Sequence, residues 1–150
     1  MAKKKKKMFK QLAVTHLESI GTAGAWNSFL RIEKQQAQMI AAYVDKARVS
    51  FNLNTDISES NPGGYLFAAT NSSTDPTDGE VISASAVGRL GGGVVTLPIE
   101  RLIRRNEDDN ESGEGYVYLW VRSTNMSSST GVALDLVAEV WGRWHSIVAL

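Results

Sequence analysis

Cysteine is absent from the 150-residue chain, histidine occurs twice and proline three times. The first absence excludes a disulfide scaffold and thiolate metal ligation, and fits a reducing compartment or a particle that holds together without crosslinks. His16 and His145 form neither an H-x-H nor an H-E-x-x-H pattern, so no histidine pair is spaced to hold a metal on one strand or helix. There is no G-x-S-x-G nucleophile turn. Gly91-Gly92-Gly93 lacks the Gly-Lys-Ser/Thr that completes a phosphate loop, so it reads as a turn. With no positioned base and no activated nucleophile, the chain reads as a non-enzyme, with no catalytic residue, no metal site and no cofactor. No uninterrupted apolar run approaches the roughly 20 residues of a membrane-spanning helix, and no membrane partner is expected.

What the chain does have is charge segregation. Lys3, Lys4, Lys5, Lys6, Lys7 and Lys10 lie in the first ten residues, which contain no acid, while residues 11–150 hold ten Lys and Arg against sixteen Asp and Glu. A formal net charge of zero thus conceals a basic tail on an acidic body. Like charges in a row repel and stay solvated until a polyanion neutralises them. Lysine without interleaved aromatics predicts contact with phosphates rather than with bases, hence binding that ignores sequence. The same tract also fits a nuclear import signal. Met8-Phe9-Lys10-Gln11, followed by Thr15, His16 and Glu18, makes a poor secretory signal. Residues 1–12 are therefore expected to form an arm and residues 13–150 a single domain, since 43% hydrophobic content supports one core of that size.

The body reads as short strands separated by turns. Val49, Phe51 and Leu53 alternate with Ser50, Asn52 and Asn54, as a half-buried strand requires. Asn61-Pro62-Gly63-Gly64 breaks the chain before Tyr65–Ala69, and the polar loop Asn71–Gly79 carries the turn pairs Asp75-Pro76 and Asp78-Gly79. Glu80–Val87 and Val94–Ile103 follow; Pro98 inside the latter predicts an edge strand or a strand end there. Tyr116–Arg122 and Val132–Trp141, rich in aromatic and β-branched residues, are expected to be long antiparallel neighbours joined by the Ser/Thr/Asn/Gly loop Ser123–Gly131. Seven or eight strands at these spacings predict a sandwich or barrel. Residues 27–44 stay open between helix and strand. Phe29, Ile32, Met39, Ile40 and Tyr43 share a stripe at helical spacing behind a cap at Asn27 or Ser28, yet Ile40, Ala42 and Val44 also alternate.

Two acidic groups, Asp75, Asp78 and Glu80, and Glu107, Asp108, Asp109, Glu111 and Glu114, read as solvated loops, with calcium at a subunit contact as the alternative. Arg101, Arg104 and Arg105 read as the ion-paired base of the second loop, with a nucleic-acid or intersubunit contact as the alternative. Tyr116, Tyr118, Trp120, Trp141 and Trp144 read as core and interface filling rather than a base-stacking platform. The apolar Ile147-Val148-Ala149-Leu150 is expected to pack on its own domain or a neighbouring copy.

This layout, a short basic arm, an all-β body with long aromatic final strands, and no cysteine or catalytic constellation, resembles the single jelly-roll capsid proteins, above all the small coat proteins of circular single-stranded DNA viruses and satellite viruses. The resemblance spans Lys3 to Trp144. It implies an all-β, eight-stranded antiparallel sandwich with the basic arm in front of it; the helix that residues 27–44 leave open before the first long strand is not a feature the resemblance supplies. It further implies self-assembly of many copies into an icosahedral shell, location in the virion, and non-specific nucleic-acid binding through the phosphates by Lys3, Lys4, Lys5, Lys6, Lys7 and Lys10; the host nucleus is a second location through the lysine tract read as an import signal. The competing expectation is a non-enzymatic β-sandwich binding module of phage-fibre or carbohydrate-binding type.

Overall fold

Apolar residues at every second position favour strands, and they dominate this chain. The computed structural model describes residues 2–20, 25–33, 39–53, 64–71, 73–87, 91–103, 116–124 and 132–149. Its regular elements are the strands β1 (Ala2–Ile20), β2 (Asn27–Ile32), β3 (Met39–Leu53), β4 (Gly64–Thr70), β5 (Val81–Val87), β6 (Gly92–Ile103), β7 (Val117–Thr124) and β8 (Val132–Ala149). They form two four-stranded sheets, sheet A in the order β1-β8-β3-β6 and sheet B in the order β2-β7-β4-β5. All recorded pairings are antiparallel. Strands consecutive in sequence mostly alternate between the sheets, which makes the domain a single jelly roll.

Between the sheets lies one continuous core. Val44, Val49 and Phe51 from β3, Leu97 and Ile99 from β6, and Leu134, Leu136 and Val140 from β8 face Phe67, Leu119 and Val121 from sheet B. Phe51 ties the layers together, with ring centroids 5.3 Å from Tyr65 and 5.2 Å from Phe67. Such pairs add roughly 0.5–1.5 kcal/mol each beyond area burial.

Three expectations meet the structure differently. No helix occurs among the described residues: Asn27–Ile32 is strand β2, Met39–Val44 opens β3, and residues 34–38 lie outside the description. The helical spacing of Phe29 and Ile32 has another cause. A bulge between Ser28 and Leu30 inserts an extra residue against β7, so two side chains three apart both reach the core. The expected pairing of Tyr116–Arg122 with Val132–Trp141 is also overturned, because β7 lies in sheet B between β2 and β4 while β8 lies in sheet A between β1 and β3. Alternation shows that one face of each strand is buried but not which sheet holds it. Pro98, by contrast, sits in β6 at the free edge of sheet A, where a missing N–H breaks no central ladder.

Sheet A bends along one line. Asp45 is an extra residue in β3 relative to β8, between the pairs Val44–Gly142 and Lys46–Trp141. On its other side, β6 takes three steps from Pro98 to Arg101 while β3 takes two, and Glu100 there has φ 50°. On the same line, the Phe9 ring packs over Gly142. A Cβ on Gly142 would collide with the Tyr43 carbonyl oxygen and approach Phe9 Cζ to 2.6 Å.

Candidate nucleic-acid interface

The lysine tract is continuous with the folded body. β1 crosses residue 12 without interruption, and its backbone pairs with β8 from Ala2–Ala149 through Lys3–Val148, Lys4–Ile147, Lys5–Ser146, Lys6–His145 and Lys7–Trp144. The same register engages the backbone of Ile147, Val148 and Ala149 with the start of the chain. The side chains of Lys3 to Lys7 lie outside the description. Lys10 lies within it: its Nζ is 2.9 Å from Glu139 Oε2, and its side chain remains 54% exposed. The hydrogen bond from Lys10, with the charges of Lys10 and Arg48, holds the Glu139 carboxyl below the usual glutamate range, against an opposing desolvation.

Register places Lys10 in a row across the outer face of sheet A. In β8, residues 134, 136, 138, 140, 142 and 144 are buried, which turns Asp135, Val137, Glu139, Trp141 and Arg143 outward. Lys10 and Lys46 flank Trp141 from the neighbouring strands, each Nζ 5.3 Å from the indole centroid. One row along, Glu139 lies between Leu12 and Arg48; one row the other way, Arg143 lies between Met8 and Tyr43. Arg143 stacks 4.7 Å from the Tyr43 centroid and reaches the bulged Asp45 at 3.1 Å. His16 Nδ1 and Asp135 Oδ1 are 2.6 Å apart. Met8, Leu12 and Val14 of the edge strand are exposed.

Sequence reading singled out Lys10 and missed its neighbours. Lys46, Arg48 and Arg143 are scattered through the chain, and only the register brings them together. Trp141, assigned to core or interface filling, faces outward and is half-buried between two lysines. Tyr116, Tyr118 and Trp120 form a buried ladder away from the main core, packed by Trp26, and the Trp120 N–H donates to Thr70 Oγ1 at 2.8 Å. Trp144 is buried with Ala42 and Phe9.

Among the described residues no cluster of acids and histidines is arranged to hold a metal. Asp75 instead organises its own turn, with Oδ1 accepting from Thr77 N at 2.9 Å and its carbonyl from Gly79 N at 2.7 Å, while Glu80 accepts from Asn71 at 3.2 Å. Glu107, Asp108, Asp109, Glu111, Glu114, Arg104 and Arg105 lie outside the description. Arg101 is exposed and bonds backbone carbonyls of its own bulge.

No protein-family model matches the chain. No curated protein matches it either. Solved structures do. A chain from the semi-empty VLP of the giant freshwater prawn Macrobrachium rosenbergii nodavirus superposes with TM-score 0.51 at 9% identity, covering 94% of each chain. A chain of the nora virus structure gives TM-score 0.54 at 9% identity, covering 95% of this chain and 60% of that one. Likeness at these identities shows a shared fold.

Proposed function

We propose that this protein is a viral coat protein whose copies assemble into a closed icosahedral shell and whose Lys3, Lys4, Lys5, Lys6, Lys7 and Lys10 neutralise the packaged nucleic acid. The observation that carries this reading is the jelly-roll fold, whose likeness to a chain of a nodavirus VLP extends over 94% of each chain. Physical arguments support it. β1 is a 19-residue strand at a sheet edge, and its Met8, Leu12 and Val14 are exposed. Such an edge is an aggregation hazard in a monomer and is covered in a symmetric assembly. The tract supplies point charges that bind phosphate irrespective of base, as a coat protein packaging a whole genome needs. The fold likeness selects no virus type, so the resemblance to circular single-stranded DNA and satellite viruses stays at the level of layout. The virion is the corresponding location.

The test is size-exclusion chromatography of the expressed protein with absorbance at 260 and 280 nm, and electron microscopy of the earliest peak. Uniform particles with excess 260 nm absorbance are expected. In the variant with all six lysines changed to serine, particles with little 260 nm absorbance are expected. A nucleic-acid-free monomer or trimer of the unaltered chain would overturn the reading in favour of a binding module.

A further inference from the structure

The centre of sheet A's outer face gathers Lys10, Lys46 and Arg48 around Trp141, with Glu139 already engaged by Lys10 and Arg143 by Asp45. Lys10 and Trp141 share one register pair and Lys46 and Trp141 another, so both cations are fixed on β-strands rather than carried on a loose tail. Arg48 pairs with Glu139 across the β3–β8 ladder and stands on the outward side of β3. Moreover, β1 carries the lysine tract along the same edge of the same sheet.

We propose that this face is a docking surface for single-stranded nucleic acid, with Trp141 as a stacking platform for a base and Lys46 and Arg48 as phosphate contacts that continue the lysine tract into the folded body. The proposal rests on the coat-protein reading and deepens it by naming the residues that the genome touches. Charge complementarity favours a polyanion over a second copy of this chain. With Lys10 already paired to Glu139, a twofold contact through the centre would set Lys46 and Arg48 against their own equivalents in low dielectric, whereas phosphates neutralise them. Single strands suit the chemistry because their bases have a free π-face, and stacking on an aromatic side chain ignores base identity. An ammonium resting on a solvent-facing, half-buried ring is held more weakly than a stacked base, so Lys10 or Lys46 leaves the indole on binding and meets the phosphate instead. Cations fixed beside the stacking ring lower the ordering cost relative to a free tail.

The experiment uses the full-length chain, a fluorescein-labelled thymidine 20-mer, and anisotropy titrations between 50 and 300 mM salt. Trp141→Ala should weaken binding about tenfold with an unchanged salt slope, consistent with the loss of one stacked base. Lys46→Ser/Arg48→Ser should lower the slope of log K against log salt by ~1.4, at about 0.7 per lost phosphate contact on a single strand. On the unaltered protein, irradiation of a 5-iododeoxyuridine 20-mer should crosslink the peptide containing Trp141, a readout independent of variant folding. Wild-type affinity and slope in both variants, with crosslinks confined to residues 1–12, would overturn the docking face while leaving the lysine arm in place. Loss of affinity only after the variant particles fall apart, with no Trp141 crosslink in the unaltered protein, would assign the face to a contact between copies and overturn the proposal. No binding by the unaltered chain would overturn both this proposal and the packaging reading.

Discussion

Gly142 shows how one missing side chain fixes a long strand. Its Cα faces Phe9, and the Phe9 ring occupies the space where a Cβ would stand, on the line where Asp45 and Glu100 bend the sheet. The Tyr43 carbonyl on the other side belongs to the backbone of a ladder strand and cannot rotate away. Gly142→Ala is therefore expected to destabilise the fold by about 1–3 kcal/mol, the range of overpacking. That is several degrees of melting temperature in a domain of this size. Gly91→Ala provides the control: a Cβ there meets nothing within 4 Å. Circular-dichroism melts should show a large drop for the first and almost none for the second; equal effects would mean that Phe9 does not pack on Gly142. The Gly142 requirement is invisible in sequence, because Val140-Trp141-Gly142 reads as the end of a strand until β1 is known to lie alongside.

At the scale of elements, the sequence was most readable where one face is buried and one is wet. Val49, Phe51 and Leu53, the Asn71–Gly79 turn and the edge placement of Pro98 all follow from alternation and turn chemistry, and the structure places them so. β2 was ambiguous because its bulge imitates helical spacing, and the partner of β8 was misassigned because alternation carries no long-range information. β1 was hardest to see. Five successive lysines oppose burial, and Met8, Leu12 and Val14 lie on the same exposed side as Lys10, so hydrophobicity does not mark its inner face. This strand makes a prediction of its own. An edge strand bonds β8 with only alternate amides, and adjacent lysines repel most at low ionic strength. Hydrogen exchange on monomeric protein should show alternating protection over residues 8–17, and protection across residues 3–7 that increases between 20 and 300 mM salt. Fast, salt-independent exchange throughout residues 2–17 would contradict the β1–β8 pairing.

For the whole molecule, the decisive feature is that β1 and β8, the described strands farthest apart in sequence, are partners. Ala2 lies opposite Ala149, and β8 sits between β1 and β3 in sheet A. β1 and its ladder partner are thus separated by all the other described strands. Long-range pairing pays its loop-closure entropy before any contact rewards it, and two-state β-sandwiches correspondingly fold in milliseconds to seconds. The same neighbourhood offers a way to test whether this closure limits the rate. Opposed residues in an antiparallel pair have Cα atoms about 4.5–5.5 Å apart, so a short Gly/Ser linker can join the C-terminus to the N-terminus. New termini can open between Ser73 and Thr74, both exposed in the polar loop after β4. In this circular permutant the β8–β1 ladder becomes a local hairpin while the core is unchanged. Stopped-flow refolding of monomeric protein should then be faster by about an order of magnitude, with the unfolding rate little altered, because the gain lies in forming the contact. Unchanged refolding would show that the rate-limiting step lies elsewhere. Sheet B is the next place to look, since β4 and β7 must also meet across a long separation in sequence.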